Sequence, residues 1–245
     1  MDPYLTSSWH NDTRGRSDKR ISYKLKCEFD TIRWDWRYFF STRNDRWYTS
    51  LFEHGTGRLT GEICPSYAVL DPRDIQHVHD ITHEAMIIFV MRNPIHRAWS
   101  HARMMFYSVD GRPVNSVSDE ELIAYLGNRE MTCAGDYATI LKNWGEFFPE
   151  KQFFVGFFEE IAESPHEFLS RLYRFLHVVR VLKPMNRYLS ARILAGPKVK
   201  MPQKIGRFLA EKHYDQIKEL RKLFGGYTRL WLKEAEGFLI SKGSA

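Results

Sequence analysis

The chain is 245 residues long, enough for one α/β domain with a substantial core and too short for a second full one. Its 43% hydrophobic and 27% charged residues are ordinary globular composition and argue against a chain disordered throughout, and its 15% aromatic content is high. A formal net charge of +6 favours anionic partners: nucleotides, sulfated or phosphorylated substrates, nucleic acid or a membrane surface.

Residues 1–20 are polar, rich in Arg, Asp and Ser, and lack both apolar periodicity and the apolar core of a signal peptide. They read as a poorly ordered arm ahead of a single domain over residues 21–245. Ile21, Tyr23, Leu25, Cys27 and Phe29 then alternate with polar neighbours, the pattern of a half-buried strand. Trp34 to Phe40 is dense in aromatics, which are read as buried, and Arg46 to Phe52 has the pattern of a short helix on the core. The Gly-containing HGTGRLTGE separates that helix from ICPSYAVL.

Met86 to Met91 is a continuous apolar run of strand length, as in a parallel strand buried on both faces. Asn93 supplies an N-cap and Pro94 the first helical position, so a helix runs from there to about Tyr107. After the loop-like SVDGRPVNSVSDEE, whose Ser118 to Glu121 portion is a capping signal, a short helix extends through Leu126. Tyr137 to Phe148 is amphipathic, and Phe153 to Phe158 repeats the buried-strand pattern. Ser164-Pro165 opens a helix with Phe168, Leu172, Phe175 and Leu176 on its apolar face. A last helix from about Lys204 to Phe224 stops at Gly225-Gly226. Strand, helix, strand, helix predicts an α/β fold with a central parallel sheet flanked by helices.

A strand that delivers Arg92 at its carboxyl end, followed at once by a capped helix, puts a guanidinium where open α/β sheets bind ligands. Arg offers phosphate a planar fork of donors. Ser100 adds a hydroxyl from the helix face shared with His96 and Arg97. The plainer alternative is that Arg92 pairs with an acidic neighbour and Ser100 is a surface hydroxyl.

The run R-N-P-I-H-R-A-W-S from Arg92 to Ser100 resembles the R-x-P-x-x-R-x-x-S element of sulfotransferases that use 3'-phosphoadenosine 5'-phosphosulfate (PAPS). Further stretches resemble the family in its order: GEICPSY from Gly61, GDYATILKNWGEFFPEKQFFVGFFEEI from Gly135, and GPKVKMP from Gly196 to Pro202. The similarity spans roughly residues 33–231 and is closest to the bacterial and glycan-type branch. It implies a sulfotransferase fold of the P-loop NTPase type, with PAPS as sulfuryl donor, a hydroxyl or amine acceptor on a carbohydrate or small metabolite, and no metal. It also implies that Arg92 and Ser100 hold the nucleotide 3'-phosphate, and that Lys198 and Lys200 close over its phosphates; read alone, those lysines belong equally to a solvated basic loop.

The element W-D-W-R-Y-F, Trp34 to Phe39, resembles the family's K-E-x-[HR]-[YF]-F and puts Asp35 in the place of its catalytic Glu. Sulfuryl transfer needs a base for the acceptor proton, and a carboxylate beside an apolar wall suits that task. The alternative is an exposed carboxylate between two core Trp residues. The family's opening strand and P-K-x-G-T-T-like phosphosulfate loop are not recognisable; their place is taken by RGRSDKR, Arg14 to Arg20. Truncation, degeneration, or a replacement cradle built from Arg14 to Lys26 each account for this, and the first two leave a protein that binds adenosine bisphosphate without catalysis.

Two further classes are weighed. His77, His79 and His83 form H-x-H-x-x-x-H, a weak metal pattern on what the resemblance makes a surface helix. Aromatics interleaved with Arg in TIRWDWRYFFSTRNDRWY would suit single-stranded nucleic acid, although that segment matches a family element. Cys27, Cys64 and Cys133 are too few and too scattered for a disulfide ladder or metal knuckle, and no window approaches about 18 apolar residues. A cytoplasmic enzyme is the expectation.

Overall fold

In a computed structural model of the chain, residues 32–55, 57–178 and 199–240 are described. The expected arm over residues 1–20, the expected strand from Ile21 to Phe29, the basic segment Arg14 to Lys26 and Lys198 lie outside them. The chain divides into two compact units, residues 1–63 and 64–245.

In the first unit residues 32–40 form helix α1 and Asp45–Ser50 form α2. Asn44 caps α2 by accepting from the Trp47 N–H at 2.8 Å. Trp34 Nε1 donates to the Leu51 carbonyl at 3.1 Å, Trp47 Nε1 to the Arg37 carbonyl at 2.7 Å, and Arg37 to Glu53 at 2.7 Å. The aromatics of α1 are not buried as expected: Trp36 is 65% exposed, and Phe39 and Phe40 are exposed with it. They pair along the helix instead, Trp34 on Tyr38 at 5.0 Å and Trp36 on Phe40 at 4.8 Å. The nine described residues of α1 carry aromatics on every side, and one helix cannot turn all of them to one core.

The second unit is an α/β layer structure. Helix α3, Pro72–Ile81, is capped by Asp71 and precedes strand β1, Ile87–Met91. Then come α4 (Pro94–Ser108), α5 (Asp119–Gly127), α6 (Arg129–Cys133) and α7 (Tyr137–Gly145). Strand β2, Phe153–Phe157, pairs parallel with β1 in the register Ile87 to Phe153 through Met91 to Phe157. Helices α8 (Phe158–Glu163) and α9 (Pro165–Phe175) follow, then α10 (Gln203–Phe224) and α11 (Gly226–Ile240). The parallel pair joined through helices is the expected architecture.

The core unites Met91, Ile95, Ala98 and Ala102 with Ile140, Trp144 and Phe148 of the α7 region, Ile205, Leu209 and Ile217 of α10, and Trp231 and Ala235 of α11. Ile88 and Val90 are exposed, so β1 is not buried on both faces as expected. On that face of the sheet helix α9 packs on β2, where Phe154 meets Phe168 and Phe175 at 5.7 and 5.4 Å. The covering is close. A Cβ at Gly156 would stand 2.5 Å from Phe168 Cε2, and Phe168 is 6% exposed. Gly156→Ala is therefore expected to destabilise the fold by about 1–3 kcal/mol, read as a lower denaturant midpoint at unchanged slope. An unchanged midpoint would show that the Phe168 ring has room to retreat.

Gly225 ends α10 with φ 61°, a backbone conformation that favours glycine, and its N–H bonds the Arg221 carbonyl. The chain continues into α11, which the sequence reading did not anticipate. Thr228 is fully buried at this turn and donates to the Gly225 carbonyl at 2.6 Å.

Candidate functional site

The carboxyl ends of the two strands lie side by side, so the residues that follow them meet. Arg92, just past β1, lays its guanidinium over the Phe158 ring, just past β2, at 4.7 Å. Burial lowers the Arg92 pKa from its ordinary value; Glu159 and Tyr137 oppose the shift and Arg103 adds to it. Arginine stays charged regardless. Among the described residues no carboxylate lies within ion-pair distance of Arg92, so the acidic-neighbour alternative finds no bonded partner; Glu159 acts on it only through its field.

Helix α4 begins at Asn93, which is 2% exposed, and whose Oδ1 accepts from the Ile95 N–H at 3.0 Å. Its next two turns present His96, Trp99, Ser100 and Arg103 at i, i+3, i+4 and i+7 to one cavity of about 560 Å³. Arg92 lines the same cavity, as do Lys200 and Phe238. Trp99 Nε1 donates to the Val199 carbonyl at 3.2 Å and so fastens the segment that bears Lys200 to the helix that bears Ser100. No carboxylate lines the described wall.

Of the site residues expected from the sequence, Arg92, Ser100 and Lys200 are thus brought together. Lys198 lies outside the described residues, and Asp35 is an exposed residue of α1 in the first unit. Arg97 does not share the cavity with His96. It turns inward and donates to the Met131 carbonyl at 3.0 Å, beside His213, whose ring crowds Gly135.

The arrangement adds Arg103, His96 and Trp99, and from α11 Phe238 and Glu234, which holds His96 at 2.8 Å. The first three were legible as one helical stripe through Ser100, and α11 in the spacing of Trp231, Leu232, Ala235, Phe238 and Leu239. That Glu234 would meet His96 had no sequence signal. Of the H-x-H-x-x-x-H run, His79 packs edge-on against Phe148 at 5.2 Å, and no metal-like cluster of three or more His, Cys, Asp or Glu is found among the described residues.

The strand-edge Arg92 and the helix-borne Ser100 that line this cavity belong to the R-x-P-x-x-R-x-x-S run, and the family model described as the sulfotransferase family matches residues 10–180. The chain belongs to the sulfotransferase family. The match starts ahead of Arg14 to Arg20, the segment that stands where the resemblance puts the phosphosulfate loop.

Two curated sulfotransferases are similar to this chain over part of their length. The mouse protein named heparan sulfate glucosamine 3-O-sulfotransferase 6 is 29% identical over 164 residues, covering 63% of this chain and 46% of the mouse protein. The human protein of that name is 28% identical over the same length and shares. This sulfotransferase-family chain thus spans about half the length, 46%, of the curated relatives it matches. A crystal structure of a sulfotransferase from Alicyclobacillus acidocaldarius matches it with TM-score 0.57 at 21% identity, covering 80% of this chain and 77% of that one. This likeness shows a shared sulfotransferase fold. No helix among the described residues is long and apolar enough to cross a membrane.

Proposed function

We propose that the chain holds PAPS in the α4 cavity and transfers its sulfuryl group to a hydroxyl or amine of an acceptor. The observation that carries this is the convergence of Arg92, Ser100, Arg103 and Lys200 on one cavity free of carboxylates in its described wall. Arg92 and Ser100 are assigned to the 3'-phosphate. Lys200, with Lys198, is assigned to close over the nucleotide phosphates, and Trp99 and Phe238 offer apolar surface to the nucleoside.

When bound, the donor supplies a sulfuryl group on a phosphate leaving group. The chain contributes cations that neutralise the phosphates. Asp35 is the proposed base for the acceptor proton, on its place in W-D-W-R-Y-F. The similarity to the mouse and human proteins named heparan sulfate glucosamine 3-O-sulfotransferase 6 favours a carbohydrate acceptor over a small metabolite. The free thiols of Cys64 and Cys133 favour a cytoplasmic setting, and recovery from a secreted or membrane-enclosed fraction would overturn that placement.

Labelled sulfate from the donor is expected to reach a glucosamine-containing glycan within a panel of hydroxyl and amine acceptors. Asp35→Asn is expected to remove transfer while leaving 3',5'-adenosine bisphosphate binding in place. Bisphosphate binding without transfer to any acceptor would leave a nucleotide-binding protein of this fold. Binding of oligonucleotides but not of the bisphosphate would overturn both readings in favour of a nucleic-acid role.

A further inference from the structure

Lys200 lines the α4 cavity from a short segment that leads into α10. Its neighbours Val199 and Met201 are partly buried against the core, whereas Lys200 is exposed. That alternation is the one an extended backbone gives, and Pro202 favours it by disfavouring helical conformation in the residue before it. Pro202 also ties the carboxyl side of the segment to α10, because its carbonyl accepts from the Gly206 N–H at 2.9 Å.

On the amino side the anchor is a tryptophan. Trp99 Nε1 donates to the Val199 carbonyl at 3.2 Å, across 100 positions of the chain. That oxygen belongs to the planar peptide that joins Val199 to Lys200, so holding it fixes the plane from which the Lys200 backbone departs. Trp99 is 5% exposed and is a member of the core on α4. An indole N–H buried to that extent has no ready exchange with water, and leaving it unpaired is costly. The bond therefore belongs to the fold and does not depend on a ligand.

We infer that Trp99 is the positioning residue of Lys200: its indole N–H sets the Val199–Lys200 peptide, so that the lysine is held at the cavity for the nucleotide phosphate instead of being ordered by it. This rests on the reading that assigns Lys200 to the phosphates, and adds to it the residue through which α4 places that lysine. A lysine on a fixed backbone leaves less to be ordered when the anion binds, and affinity gains by the difference. Trp99 needs no contact with the phosphate to act in this way. If it served only as a core ring or as a surface for the nucleoside, it would act alike with or without the Lys200 ammonium.

A double-mutant cycle on the full chain, read by calorimetric titration with 3',5'-adenosine bisphosphate, separates the two. Trp99→Phe keeps a ring in place and removes the N–H, and is expected to weaken binding about fivefold, the effect of one ordinary hydrogen bond. With Lys200→Ala already present, the same change is expected to weaken it by less than about twofold. Nucleoside surface lost with the indole is lost in both backgrounds and cancels. Trp99→Phe leaves the net charge unchanged, yet is expected to flatten the salt dependence of binding as Lys200→Ala does, because it releases the cation from its place. A benzothiophene in place of the indole keeps the ring's shape and removes only the donor, and it carries the same expectation should Trp99→Phe fail to fold. Equal losses in both backgrounds, with the wild-type salt dependence, would overturn the inference and leave the bisphosphate site standing, as would a Lys200→Ala chain that binds like the wild type. Failure of the wild type to bind bisphosphate at any salt concentration would overturn the nucleotide reading itself, and the inference with it.

Discussion

Arg92→Ala is expected to weaken binding of 3',5'-adenosine bisphosphate by about 100-fold, roughly 2–3 kcal/mol, without lowering the melting temperature. Arg92 is half-buried over the Phe158 ring, its pKa lowered by that burial, and it has no ion pair among the described residues. A charge held partly out of water with no bonded partner is a cost to the empty fold. A phosphate placed in its donor fork recovers that cost and adds charge-assisted hydrogen bonds. The same side chain thus adds little to folding and much to binding. Arg92→Lys retains a point charge but loses the planar fork and the stacking on Phe158, and is expected to fall between wild type and alanine. Calorimetric titration beside a thermal melt checks both halves. Affinity within about threefold of wild type would place the anion away from Arg92, since even one charge-assisted bond is worth more than that.

Acidification is expected to destabilise the second unit through His213. The residue is 2% exposed, and burial first, then Arg97 and Lys212, lower its pKa to about 4, with Asp136 opposing. Gln216 Oε1 accepts from the Tyr137 N–H at 3.2 Å, so its Nε2 donates to His213 Nδ1 at 2.6 Å, and the proton of the neutral ring sits on Nε2. Unfolded, an imidazole titrates near pH 6.5, about the reference value. Between the folded and unfolded values the unfolded chain binds a proton that the folded chain refuses. Stability is therefore fully present above about pH 7 and is lost as the pH falls toward about 4, by about 3 kcal/mol in all. His101, whose pKa is lowered by burial and then by Arg97, adds in the same direction. His213→Asn keeps an acceptor for Gln216 but cannot titrate. Denaturant unfolding at about pH 7 and pH 4.5 is expected to show a smaller loss in the variant, and equal losses would clear His213 of the effect.

Much of the second unit was legible in the sequence, because its signals are local. Asn93-Pro94 is a cap and a first helical residue in any context, and α4 starts there. The run from Phe153 is a strand by composition, and Gly225 stops α10 by its positive φ. The aromatic run Trp34 to Phe40 misled, because composition shows that rings are present but not whether a second layer exists to cover them. Strand β1 misled for the same reason: an apolar run is what full burial requires, but it does not show whether another element covers both faces, and Ile88 and Val90 stay exposed.

The sequence by itself determined the family and the strand-to-helix junction that carries Arg92 and Ser100, since caps, strand runs and motif spacing act over a few residues. Only the tertiary structure decided the rest of the cavity. Its Lys200 and Phe238 arrive from about 100 positions or more along the chain, and Glu234 reaches His96 across 138. It also parted the motif's two arginines, sending Arg92 to the cavity and Arg97 to the Met131 carbonyl. The physical reason is the five-residue difference between them, which puts one at the open edge of the sheet and the other on the packed side of α4, a side that exists only once α6 and α10 are in place.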